Sequence, residues 1–232
     1  MKIGGFLKQS LIDYPGNIAS VVFTSGCNFR CFYCHNPELV LPELVEQNNH
    51  ISENEILDYV KTNSTLLDAV VISGGEPTIH KDLPAFLQKI KQLNLLIKLD
   101  TNGTNPDMIN ILLQRDLIDY IAMDIKAPLI TKKYQEIIGD QFTFLQLERI
   151  LESIYLIKQS KIKYEFRTTL VKPNHSIEDI RIMSEALSGN YYLQEFNSDK
   201  TLACTNKNSS FQSSELTELI AKTNPKLKLI IR

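Results

Sequence analysis

Short apolar runs rich in β-branched residues alternate along the chain with segments in which apolar residues return every three or four positions. The runs predict six strands, at Ala19–Thr24, Ala69–Ser73, Leu95–Asp100, Tyr120–Ile125, Tyr164–Val171 and Tyr191–Phe196. Between the strands, apolar positions such as Leu83, Leu87 and Ile90 share one face of a helix. Ser52 and Ser176 precede acidic residues in the way that helix N-caps do. The pattern is therefore a repeated strand–helix alternation.

This alternation predicts an α/β fold class. Six consecutive strand–helix units favour parallel strands joined by right-handed crossovers. Since six units are too few to close an eight-stranded barrel, we expect an open, partial (β/α)6 TIM-like barrel, with a flat doubly wound sheet as the alternative. No linker divides the chain, so a single domain is expected over residues 1–232, with its core at about 17–200. The extension at 201–232 is predicted to hold a helix around Glu215–Ala221 and an edge strand at Leu227–Arg232.

Composition narrows the classes of protein that fit this pattern. The 25 basic and 27 acidic residues leave a formal charge of −2, which gives no electrostatic case for binding nucleic acid. No apolar run approaches the length of a membrane span, and the first residues lack the apolar core of a signal peptide. The 43% content of hydrophobic residues excludes a disordered chain. We expect a soluble, cytoplasmic globular protein without nucleic-acid or membrane partners.

Three of the four cysteines lie within eight positions, at Cys27, Cys31 and Cys34. Such short loops do not favour disulfides, and a reducing cytosol would not preserve them. Three thiolates from one loop can hold a [4Fe-4S] cluster and leave its fourth iron open to a substrate or cofactor. The alternative is a zinc knuckle with His35 as fourth ligand, although its position next to Cys34 is awkward for one ion. Cys204 stands far downstream, and we interpret it as an incidental thiol.

Polar residues also stand at the carboxyl ends of the other predicted strands, where α/β barrels place reactive groups. Gly74-Gly75-Glu76-Pro77 follows the second strand and offers acceptors that suit an ammonium group, although alone it could be a plain turn. Asp124 and Lys126 share one face and could bind ribose hydroxyls and a carboxylate, or form a simple surface ion pair. The position of Asp100 at a strand end favours contact with a polar ligand, or with a small cation that Asp100 and Asp124 would bind together. The further candidates at these ends are Asn102, Arg167 and Gln194.

These motifs together resemble the radical S-adenosylmethionine (SAM) superfamily. The resemblance rests on the spacing Cys27-x3-Cys31-x2-Cys34, with the aromatic Tyr33 before the last cysteine, and on the Gly-Gly-Glu-Pro motif that follows. The segment 26–37 is similar to that of glycyl-radical-enzyme activases. The segment 10–16 resembles the branch that activates anaerobic ribonucleoside-triphosphate reductase. The resemblance covers the chain from its start to about Phe196.

The resemblance implies a [4Fe-4S] cluster whose open iron is chelated by the amino and carboxylate groups of SAM. Reductive cleavage of SAM then yields methionine and a 5′-deoxyadenosyl radical, which removes a hydrogen atom from a glycine of a partner enzyme, here anaerobic ribonucleotide reductase. No catalytic side chain is implied beyond the cluster and SAM. Residues 35–68 contain no further cysteine, so one cluster is expected. The electron then comes from a reduced flavodoxin or ferredoxin.

Motif position also assigns contacts to SAM. The implied contacts are Gly75 and Glu76 with the amino group, Asp124 and Lys126 with the ribose and carboxylate, Tyr33 and His35 near the adenine, and Arg167 near the carboxylate. Asp100 lies where the family also holds a monovalent cation. Gln194 departs from the pattern, because related pyruvate formate-lyase activases have a histidine there. The alternative function is that of a radical SAM enzyme acting on a small molecule, such as one that makes a modified-nucleoside precursor. A third hypothesis is a non-enzymatic, zinc-stabilised interaction module.

Overall fold

A computed structural model describes residues 1–47, 49–197, 201–203, 209–211, 215 and 227–231. The strands are β1 Ile3–Ser10, β2 Ala19–Thr24, β3 Ala69–Gly74, β4 Leu96–Thr101, β5 Tyr120–Asp124, β6 Lys163–Leu170, β7 Gly189–Glu195 and β8 Leu227–Ile231. The helices are α1 Pro37–Val40, α2 Pro42–Gln47, α3 Glu53–Thr62, α4 Leu83–Lys91, α5 Pro106–Gln114, α6 Thr131–Ile138, α7 Phe144–Gln159 and α8 Ile177–Ala186, with a 3-10 turn at Pro77–Ile79.

The strands form one sheet in which their spatial order is the order of the sequence, from β1 to β8. β1 runs antiparallel to β2, and each later pair is parallel. A doubly wound sheet would reverse its strand order at a switch point, and no such reversal occurs here. The sheet does not close, since β1 and β8 stand at its two ends. The predicted open, partial barrel is therefore confirmed.

All six predicted strands are present as β2–β7, with ends within two residues of the prediction. The predicted edge strand is present as β8, while Arg232 lies outside the described residues. The strand β1 was not predicted, because Gly4 and Gly5 interrupt its apolar pattern and its register with β2 is irregular. Of the helix predicted around Glu215–Ala221 only Glu215 is described, and Cys204 lies outside the described residues.

A small apolar cluster fills the barrel interior at the amino ends of the strands. It consists of Tyr14, Ala19, Val21, Ala69, Val71 and Tyr120, all buried. The ring of Tyr14 meets that of Tyr120 edge to face, with centroids 5.5 Å apart. Segment 10–16 therefore contributes to the floor of the barrel, at the opposite end from the strands' carboxyl termini. Within the described chain, no helix combines the length and the apolar character needed to cross a membrane.

Candidate functional site

The carboxyl ends of the strands surround one cavity of about 220 Å³. The predicted residues that line it are Cys27, Cys31, Tyr33, Cys34, His35, Gly74, Gly75, Glu76, Asp100, Asn102, Asp124, Lys126 and Arg167. The structure thus brings together thirteen candidates from five separate segments of the chain. Pro77 and Gln194 do not line it. Pro77 instead begins the 3-10 turn behind the glycine loop, and Gln194 pairs in register with Thr169 on β6.

The three thiols lie on the irregular loop between β2 and α1. Backbone hydrogen bonds hold this loop from two sides: Phe32 N donates to Ile137 O at 3.2 Å, and Leu202 N donates to Cys34 O at 3.0 Å. Burial raises the pKa of Cys27 to about 12 and that of Cys31 to about 11. These two thiols are therefore protonated at neutral pH in the metal-free protein, and metal binding must displace their protons.

The donor set at this loop, three cysteine thiols that line one cavity, fits an iron–sulfur cluster. In the part of the chain that the structure describes, no three His, Cys, Asp or Glu side chains converge on one metal position. The thiols of Cys27, Cys31 and Cys34 all line the cavity. In an iron–sulfur cluster each of three thiolates binds a different iron, so three thiols from one loop are enough for it. A zinc knuckle places four ligands around one ion, and His35 would have to be the fourth here.

The glycines of the Gly-Gly-Glu-Pro motif allow two loops to touch. A Cβ on Gly75 would overlap the carbonyl oxygen of Gly26, and one on Gly74 would overlap the backbone of Thr24. Gly74 also has a φ of +107°, which disfavours a side chain. Gly75 N donates to Thr24 O at 2.8 Å, which joins the motif to the start of the cysteine loop. The sequence analysis interpreted this motif as acceptors for an ammonium group, whereas contact with the neighbouring loop is what requires the two glycines.

The Glu76 carboxylate is buried and accepts four hydrogen bonds from protein donors. Oε1 accepts from Thr78 N at 3.1 Å, Thr78 Oγ1 at 2.5 Å and Thr101 Oγ1 at 2.7 Å. Oε2 accepts from Asn102 N at 2.7 Å. Burial raises the pKa of Glu76, although these donors oppose the increase. Its side chain therefore ties the loop after β3 to the end of β4.

Asn102 extends this connection to the cysteine loop. Its Oδ1 accepts from Thr104 Oγ1 at 2.7 Å, and its Nδ2 donates to Asn28 Oδ1 at 2.9 Å. Asn28 in turn donates to Thr104 Oγ1 at 2.7 Å. Both the oxygen and the nitrogen of the Asn102 amide are thus hydrogen-bonded to protein groups. The side chain of Asn102 therefore links the loop after β4 to the cysteine loop. Asn28 and Thr104 were not predicted, because single polar residues in loops carry no periodic signal.

A chain of alternating charges crosses the cavity from β4 to the end of β5. Arg167 donates through Nη1 to Asp100 at 3.2 Å and through Nε to Asp124 at 2.9 Å. Lys126 Nζ lies 3.0 Å from the other oxygen of Asp124. Burial alone would raise the pKa of Asp124, but Arg167 and Lys126 outweigh it and lower that pKa to about 2. Burial is likewise outweighed at Asp100, whose pKa is lowered by Arg167 and Lys98. Both carboxylates are therefore ionised, and Lys126 and Arg167 line the cavity.

Aromatic side chains form another wall of the cavity. Tyr33 is buried, Lys126 Nζ lies 5.9 Å from its ring centroid, and its hydroxyl has no hydrogen-bond partner among the described residues. Since buried hydroxyls normally have a partner, this hydroxyl can still form a further hydrogen bond. The His35 ring lies 6.0 Å from that of Phe196, at an angle of 50°. Tyr33 and His35 line the cavity together with the three thiols.

Comparison with known proteins gives the family. The model of the Radical SAM superfamily matches residues 21–187. A Methanocaldococcus jannaschii protein, "Putative glycyl-radical enzyme activating enzyme MJ1227", is 34% identical over 84% of this chain and 79% of its own length. A Pyrococcus horikoshii protein, "Probable GTP 3',8-cyclase", is 28% identical over 65% of this chain and 45% of its own length.

A solved structure shows the same fold. Streptococcus suis SuiB bound to S-adenosylmethionine superposes with a TM-score of 0.65 at 15% identity, over 91% of this chain and 51% of that one. This chain therefore spans about half the length of SuiB, and the similarity at this identity concerns the fold alone. The family match covers the strands, the cysteine loop and the glycine motif that together build the cavity. On this evidence the chain is a member of the radical SAM superfamily.

Proposed function

We propose that this protein activates a glycyl radical enzyme, and specifically an anaerobic ribonucleoside-triphosphate reductase. The observation that carries the proposal is that three thiols, Lys126 and Arg167 line one and the same cavity. A relative that shares 34% identity over most of both chains bears the name of an activating enzyme. When bound, the reduced cluster supplies the electron that cleaves SAM to methionine and the 5′-deoxyadenosyl radical. The electron donor in this proposal is a reduced flavodoxin or ferredoxin.

In this proposal, one set of cavity residues binds the iron–sulfur cluster and another set binds SAM. Cys27, Cys31 and Cys34 hold three irons of a single [4Fe-4S] cluster and leave the fourth open. Arg167 uses Nε and Nη1 on Asp124 and Asp100, and its Nη2 meets no acceptor among the described residues. That remaining donor binds the methionyl carboxylate together with the Lys126 ammonium.

The other contacts to SAM follow from the hydrogen bonds already made in the site. The SAM amino group is assigned to the Gly75–Glu76 segment. Since the Glu76 carboxylate already accepts four bonds, backbone oxygens are the acceptors available there. Tyr33 and His35 face the adenine. The monovalent cation expected at Asp100 would have to share that carboxylate with Lys98 and Arg167, which both contact it.

The walls of the cavity also protect the reactive group. A carbon radical removes hydrogen from any donor that it reaches, so the site must exclude water and hold the target close. The apolar floor at Tyr14 and Tyr120 closes the barrel below the cavity. The entrance is therefore at the strands' carboxyl ends, where a glycine loop of the partner would reach the adenosyl carbon.

Electron paramagnetic resonance tests the proposal. The protein is reconstituted anaerobically with iron and sulfide, reduced, and incubated with SAM and a purified anaerobic ribonucleotide reductase. We expect the doublet signal of a glycyl radical on the reductase, and no signal with the Cys31→Ala variant. Cleavage of SAM without a radical on this reductase or on other glycyl radical enzymes would contradict the proposal.

The second candidate function is catalysis on a small molecule. It is favoured by the relatives named as GTP 3',8-cyclases, which match 65% of this chain at 28% identity. Incubation of the reduced, SAM-loaded protein with GTP, followed by mass spectrometry, would detect a nucleotide product. Such a product, formed without any glycyl radical enzyme present, would favour this function over the first.

A further inference from the structure

Lys98 is a buried cation that the sequence analysis did not select. It lies on β4, two residues before Asp100, so both side chains point into the barrel. Its side chain is 3% exposed, and it is not among the residues that line the cavity. Its Nζ lies 2.7 Å from Asp100 Oδ1 and 5.9 Å from the ring centroid of Tyr120. A lysine in this position is costly to bury unless its charge is paired.

Asp100 is shared between Lys98 below and Arg167 above. One of its oxygens faces Lys98, and the other accepts from Arg167 Nη1 at 3.2 Å and from Ser73 Oγ at 3.1 Å. Arg167 itself is attracted by Asp100, Asp124 and Glu165. Asp100 and Asp124, which both contact the guanidinium, therefore compete with any ligand for its charge. Lys98 offsets one of these competitors.

We propose that Lys98 is a positioning residue, which neutralises Asp100 from the barrel interior and so keeps Arg167 available to the carboxylate of SAM. The inference rests on the proposed function, because it takes the SAM carboxylate as the ligand of Arg167. Without Lys98, the charge of Asp100 is balanced by Arg167 alone. In the low dielectric of the barrel, that attraction draws the guanidinium towards β4 and away from the ligand.

Two ligands separate this role from a purely structural one. S-adenosylhomocysteine carries the aminocarboxylate group, and methylthioadenosine has the same nucleoside without it. Binding of each is measured by calorimetry on the anaerobically reconstituted protein. For Lys98→Met we expect S-adenosylhomocysteine to bind about tenfold more weakly, as for a lost charge-assisted hydrogen bond. Binding of methylthioadenosine should stay within about twofold of the wild type.

Two further variants serve as a rescue and a control. Lys98→Arg keeps the charge and should recover part of the lost affinity. Lys89→Met removes an α4 lysine whose side chain is 51% exposed, and it should change neither affinity. If Lys98→Met does not fold, Lys98→Gln takes its place, because the amide keeps a hydrogen-bond donor beside Asp100 but carries no charge. We expect Lys98→Gln also to bind S-adenosylhomocysteine about tenfold more weakly, with methylthioadenosine within about twofold of the wild type.

These binding measurements test the role of Lys98 separately from the proposed function on which it rests. Equal losses for both ligands, or no loss for either, would overturn the role of Lys98. A loss of S-adenosylhomocysteine affinity in Lys98→Arg as large as that in Lys98→Met would also overturn it. Failure of the wild-type protein to bind S-adenosylhomocysteine at all would overturn the proposed function, and the inference with it.

Discussion

The carboxylate of Glu76 accepts a hydrogen bond from the backbone N–H of Asn102 at 2.7 Å. This bond joins the loop after β3 to the loop after β4. Since the Asn102 side chain continues the connection to Asn28, the glycine motif and the cysteine loop are linked through one network. The side chain of a residue that the motif assigns to SAM is therefore used to fix the relative positions of the loops.

Glu76→Gln is expected to destabilise the protein. The amide offers a donor where four protein donors require an acceptor, so at least one buried group loses its partner. We expect the free energy of unfolding to fall by about 2 kcal/mol, measured by urea denaturation of the metal-free protein. Glu148→Gln, at an exposed position on α7, is the matched control. An unchanged stability for Glu76→Gln would mean that the network contributes nothing.

Gly75→Ala is expected to displace the cysteine loop. The added Cβ would overlap the carbonyl oxygen of Gly26, which is backbone and cannot rotate away. We expect a loss of about 3 kcal/mol in the free energy of unfolding, with less iron bound after reconstitution. In the control Gly5→Ala, the new Cβ lies 3.3 Å from the Phe23 ring, and the cost should be below about 1 kcal/mol. Equal effects of the two substitutions would contradict this account of Gly75.

Cys31→Ala separates metal binding from folding. The cluster loses one of its three protein ligands, so the reconstituted variant should lack the iron, the sulfide and the brown colour of the wild type. The thermal unfolding of the metal-free protein should change little, because only one sulfur atom is removed. Cys204→Ala tests the prediction of an incidental thiol and should keep its full cluster. Unfolding of metal-free Cys31→Ala would show that the thiol is needed for the fold itself.

Acid is expected to weaken the charge chain through Asp124. Its pKa is about 2 in the folded protein and 3.8 for the unperturbed group, so the folded state binds fewer protons than the unfolded state. The stability from this group is therefore complete above pH 3.8 and is lost as the pH falls towards about 2. The melting temperature of the metal-free protein, followed from about pH 5 to about pH 2.5, should fall more steeply for the wild type than for Asp124→Asn. Parallel curves would contradict this expectation.

Much of this fold is determined by local pattern. The short β-branched apolar runs predicted β2–β7 with ends within two residues. Such runs mark strands that are buried on both faces, as β2, β3 and β5 largely are. The six strand–helix units predicted an open barrel, and the sheet stays open although β1 and β8 bring it to eight strands. By contrast, β1 contains Gly4 and Gly5 and was missed, since its pairing with β2 compensates for a weak local preference.

The candidate site also has features that the sequence predicted and features that only the tertiary structure shows. The cysteines and the Gly-Gly-Glu-Pro motif are contiguous in the chain, so sequence alone located both of them. The acceptor role of Glu76 and the position of Lys98 beneath Asp100 depend on partners from other strands. Strand register and loop packing, which are long-range properties, bring those partners together. Tertiary structure therefore decided which polar groups are left to meet a ligand, because a buried group is free only when no neighbour has already bonded to it.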